Sequence, residues 1–143
     1  MRRFVVLVLA IAVAGSFALT AAAQTPTLPT TPGRVYFRNV KNGQSEPPTF
    51  TVKFGLVGLK VRPAGEDSED RTSGHHHLII DGGPVAAGTV IPADATHVHY
   101  GKGQTEAEIT LSPGKHTLTL QFADGAHRSY GPKWAATVAV NVK

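Results

Sequence analysis

Apolar residues in this chain recur at every second position. Phe50, Val52, Phe54 and Leu56 alternate with Thr51, Lys53 and Gly55, and Leu118, Leu120 and Phe122 repeat the pattern, as do Val138, Val140 and Val142. Side chains two apart project from the same face of an extended strand, so each run predicts a half-buried β-strand. Outside the first 23 residues, no stretch of about ten residues keeps the i, i+3, i+4 spacing of an amphipathic helix. The 15 Gly and 10 Pro of the 143 residues supply turns between the strands. Together these features predict an all-β fold, an antiparallel immunoglobulin-like β-sandwich of about seven strands.

The N-terminus follows a different logic. Met1-Arg2-Arg3 is basic, Phe4–Ala14 is apolar almost without interruption, and Ala21-Ala22-Ala23 fits a small-residue cleavage site. Residues 1–23 therefore read as a cleaved signal peptide, and the protein as periplasmic or secreted, with no stable membrane span after cleavage. Residues 24–33 read as a Pro/Thr-rich linker and residues 34–143 as the sandwich domain. Removal of Arg2 and Arg3 takes the formal charge from +4 to +2. The remaining cations are scattered, without the basic cluster that nucleic acid requires.

Within the domain, turn chemistry marks the strand ends. Ser112-Pro113-Gly114-Lys115 predicts a hairpin between strands at 104–111 and 116–123. Residues 57–62 are expected to extend the strand at 50–56 past a bulge at Gly58, and a short strand is expected at 89–91. The acidic segment 63–74 is long for a connection in a small domain.

The chemistry of the chain lies in its histidines. There is no cysteine, which removes disulfides, thiolate metal sites and thiol nucleophiles together. All seven histidines fall between His75 and His127. Strand parity puts His75 and His77 on one face, and His97 and His99 form a second His-x-His pair. Two such pairs on adjacent strands supply three or four imidazoles to one divalent ion, and imidazole suits copper and zinc. Asp81, on the His75 and His77 parity, is a candidate ligand or imidazole acceptor, and His127 is a candidate ligand from a loop. His76 is expected to pack in the core and donate to a backbone carbonyl. His116, which begins a strand, is expected to be half-buried and structural.

Gly74-His75-His76-His77-Leu78-Ile79-Ile80-Asp81 resembles the hallmark of the bacterial domain of unknown function 4399. The segments His99–Glu106, Leu111–Leu118 and Phe122–His127 fit that family in the same order. The resemblance spans residues 49–142 and implies a small exported β-domain, without implying an activity. Tyr100 stands where the family is associated with Phe, and either ring packs alike. His97-Val98-His99 is also similar to a tripeptide of copper–zinc superoxide dismutases, but the acidic, Gly-rich continuation and the cysteines are missing. No Gly-x-Ser-x-Gly elbow and no complete phosphate loop is present. No enzyme class is assigned on this basis. The sequence reads as an exported binding module with a His-rich copper or zinc site. The alternative is a non-catalytic structural or adhesive domain that docks on a cell-envelope protein, with structural or pH-responsive histidines.

Overall fold

The computed structural model describes residues 28–143. The signal peptide expected at 1–23 and the start of the linker lie outside the described residues. The described end of the Pro/Thr segment packs on the domain: Pro29 is buried and Gly33 lies against the Trp134 ring.

Among the described residues nine strands form two sheets. The first sheet orders β1 (Arg34–Phe37), β3 (Thr49–Val57) and β7 (Glu106–Thr110) as β1-β3-β7. The second orders β2 (Gln44–Glu46), β9 (Ala135–Val142), β8 (Gly114–Ala123), β5 (Ser73–Ile80) and β4 (Lys60–Val61) as β2-β9-β8-β5-β4. The free edge of β5 is shared, because β6 (His97–His99) pairs with its C-terminal half while β4 pairs with its start. Pairing is antiparallel except for β2 with β9 and β4 with β5. The fold is thus an all-β sandwich.

The period-two runs account for the core. Phe50, Val52 and Phe54 from β3 face Leu118, Leu120 and Phe122 from β8, and Val140 and Val142 from β9 join them. Each fully buried side chain of this size contributes roughly 1.5–3 kcal/mol. β5, like the second half of β8, is buried on both faces. One face meets the core through His76 and Leu78. The other is roofed by the segments 82–91 and 124–131, with Gln121 as the tie. Its side-chain carbonyl accepts from the Val85 N–H at 3.1 Å, and its amide donates to the carbonyls of Gly131 and Trp134 at 3.0 Å each. A polar residue on the outward parity of β8 is therefore fully enclosed.

Three local expectations are corrected. Ser112–Lys115 does not close a hairpin, because β7 pairs with β3 and β8 with β5 and β9. Turn residues specify that the chain reverses, and here the reversal carries it from one sheet to the other. Residues 57–62 do not extend β3. The backbone bends at Gly58, with φ of 94°, and β4 joins the second sheet. The strand expected at 89–91 is reduced to one bridge between Val90 and Arg128. Among the described residues no helix is long and apolar enough to cross a membrane.

Candidate metal centre

Register brings the histidines together. His77 lies opposite His99 in the β5–β6 pair, and His75 lies opposite Ala123 at the end of β8. The turn after Ala123 returns over the same face and delivers His127. One nitrogen from each of His75, His77, His99 and His127 lies within 4.8 Å of all the others. Ring centroids are 4.6 Å apart for His99 and His127 and 4.8 Å for His75 and His77. Nε2 of His75 faces Nε2 of His77 at 2.9 Å and Nδ1 of His127 at 3.2 Å.

These separations suit a shared cation. With metal–nitrogen bonds of roughly 2.0–2.1 Å, ligand atoms stand about 3.3 Å apart in a tetrahedron and about 2.9 Å between neighbours in a square plane. His75 and His77 are fully buried, while His99 and His127 lie nearer the surface and leave the site a path to solvent. Burial, reinforced by the His99 and His127 rings, pushes His75 down to about 4. Burial, with His75 and His99 beside it, pushes His77 down to about 2. His99 is lowered by burial and then by His127. These rings are consequently neutral at neutral pH and keep the lone pairs that a metal needs. Nδ1 of His75 and Nδ1 of His77 have no protein partner.

The turn that presents His127 is held by Asp124, a fully buried carboxylate. Its Oδ1 accepts from the backbone N–H groups of Ala126 and Arg128, each at 2.9 Å. Its Oδ2 accepts from Nε of Arg128 at 2.7 Å and from the Arg71 guanidinium. The acidic segment 63–74 has its role here, because Arg71 comes from it and its Glu69 pairs with Arg128 at 2.9 Å. Anchored this way, His127 adopts a left-handed φ of 63°, a conformation uncommon outside glycine.

Two candidates lie elsewhere. His97 shares the face of His99, but it sits opposite Ile79, beyond the cluster. Its Nδ1 meets Asp94 Oδ1 at 2.9 Å, and hydrogen bonds from His97 and Thr96 hold the Asp94 carboxyl well below the usual range. Asp81 does not keep the parity of His75 and His77, because β5 ends at Ile80 and Asp81 turns left-handed with φ of 55°. Its carboxylate accepts from the Thr117 N–H at 2.9 Å and meets His116 Nδ1 at 2.8 Å. Asp81 and a hydrogen bond to the Ser112 carbonyl raise the pKa of His116 in turn, and that side chain is half-buried as expected. His76 packs in the core, between Phe54 and Phe122, but it donates to no backbone carbonyl.

The supporting residues Gln121 and Asp124 were not legible as such. Gln121 stands on the outward parity of a strand, where solvent is the default neighbour. Asp124-Gly125 reads as an ordinary turn. The available signal was a Gln that follows Thr119 on the outward parity of the run 118–123.

No curated protein and no solved structure matches the chain. Residues 52–143, which include all seven histidines, match the family model described as Domain of unknown function (DUF4399). With most of its length covered by that match, the chain belongs to the DUF4399 family.

Proposed function

We propose that this protein is an exported metal-binding module that holds one copper or zinc ion on His75, His77, His99 and His127, in the periplasm or outside the cell. The observation that carries the reading is the convergence of four imidazole nitrogens within 4.8 Å on one roofed face of the sheet. A sulfur-free, all-imidazole set favours copper(II) and zinc over the harder magnesium and calcium ions. Four protein ligands fill the tetrahedral shell of zinc, which is the pattern of sites that hold an ion; catalytic sites keep a position open. Buffering or delivery of the ion follows from that closure, and no catalytic step is assigned.

The test is metal analysis and calorimetric titration of protein made without a histidine tag. One ion per chain is expected, with copper(II) bound more tightly than zinc, as the general order of divalent affinities requires. Replacing His75 and His77 together by Ala should abolish uptake of both. Metal-free protein that gives no heat with either ion would end the proposal.

A further inference from the structure

The four rings of the candidate centre are not laid out flat. His75 and His77 rise from β5 and His99 from β6 beside them, while His127 comes from the turn that roofs the same face. The His127 ring stands at 80° to 89° to the other three. Over all six pairs the ring centroids are 4.6 to 6.0 Å apart. Four points at least 4.6 Å apart in one plane require a pair separated by about 6.5 Å, so the rings do not form the square plane that copper(II) prefers. Four imidazoles on one tetrahedral ion have centroids about 5 Å apart. Every pair except His77 with His127 is close to that spacing.

Charge points the same way. The converging ligands are all imidazoles, and the chain has no cysteine to supply a thiolate. Asp124, the buried carboxylate under the His127 turn, is paired with Arg71 and Arg128. The cost of burying an ion rises with the square of its charge, so +2 meets about four times the penalty of +1. His75 and His77 are buried, and Nδ1 of each meets no acceptor among the described residues. Such an acceptor ordinarily raises the basicity of a metal-bound imidazole, which supports the higher metal charge. Copper(I), a d10 ion like zinc, has no d-electron preference against a tetrahedron.

We propose that the centre is a one-electron copper site that holds copper(I) in preference to copper(II), an inference that rests on the metal reading above. Loaded with copper(II), it accepts one electron from a small enediol reductant of the ascorbate class. The metal passes from Cu(II) to Cu(I), and all four copper–nitrogen bonds persist. The ascorbate monoanion becomes its radical and gives one proton to solvent. The rings of His99 and His127, nearer the surface, are the route for the electron.

The full chain, made without a histidine tag, is titrated anaerobically against chromogenic copper(I) chelators, and separately with copper(II) against glycine. Copper(I) should bind at least about tenfold more tightly, which places the potential at least about 59 mV above that of the aqueous copper couple. Ascorbate should erase the electron paramagnetic resonance signal of the copper(II) complex, and ferricyanide should restore it with no metal lost. His127→Gly suits the left-handed backbone at that position. By freeing a position for water, it should bring the two affinities to near parity. Copper(II) bound as tightly as copper(I) by the wild type overturns the proposal. So does a signal that ascorbate leaves in place, or a preference that survives intact in His127→Gly. Zinc bound with copper refused in both states overturns it as well, while the metal reading stands; a chain that binds no ion ends both.

Discussion

The ring of His99 lies against the bare Cα of Gly101, and a methyl group there would overlap its Cε1 and Nε2 atoms. Gly101 has no left-handed φ, so alanine is compatible with its backbone. Gly101→Ala should therefore act through His99 alone. Copper and zinc affinity should fall at least about tenfold, while the melting temperature of metal-free protein changes little. Gly103→Ala is the control, because its φ of 77° makes the substitution strained but leaves His99 untouched. It should lower stability and spare affinity.

His97 and His99 stand on one face of the same short strand, yet only His99 lies beside His77. His97→Ala should leave metal stoichiometry and affinity unchanged, whereas His99→Ala should remove one ligand and weaken binding by an order of magnitude or more. Parallel titrations of the two variants decide it. Equal losses would show that His97 reaches the ion.

The contrast between these two residues marks where sequence reasoning stops. Period two alone put His75 with His77 and His97 with His99, and it found the long strands β3, β5, β8 and β9. It could not decide which member of the second pair stands beside His77, because register is set by partners distant in sequence. Parity also fails where a strand ends, which is why Asp81 reaches His116 rather than the cluster. His127 depends on a left-handed turn tied to a buried carboxylate, and no short pattern announces that. The burial of His75 and His77 on an outward face required the roof at 82–91 and 124–131, a tertiary feature in which Gln121 is the visible sign.

Asp124→Asn tests that turn. The amide would present N–H groups to two guanidinium groups where a carboxylate oxygen now accepts from both. Breaking a buried ion pair from one side costs about 3–5 kcal/mol, so a fall in melting temperature of roughly 10 °C or more is expected. Metal affinity measured well below the new midpoint should drop as well, since His127 loses its anchor. Lower stability with unchanged affinity would mean that His127 is positioned by other contacts.

Acid should destabilise the metal-free protein, and the sign follows from the direction of each shift. In the unfolded chain every imidazole takes up a proton near pH 6.5. In the folded protein burial holds off protonation of His75 and His76 to about 4 and of His77 to about 2. Between these values the unfolded state binds more protons, so stability falls as pH falls. By pH 5 the loss is about 1–2 kcal/mol for each of the three buried rings. His116 works the other way, because Asp81 raises its pKa and its stabilisation is fully present only below its unfolded value. One partly exposed ring cannot offset three buried ones, so the urea midpoint in chelator should drop steadily from pH 7.5 to pH 5. His76→Phe should flatten that slope by one ring's share without altering metal uptake. A midpoint that does not move across this range would mean that the buried rings are not held neutral in the folded protein.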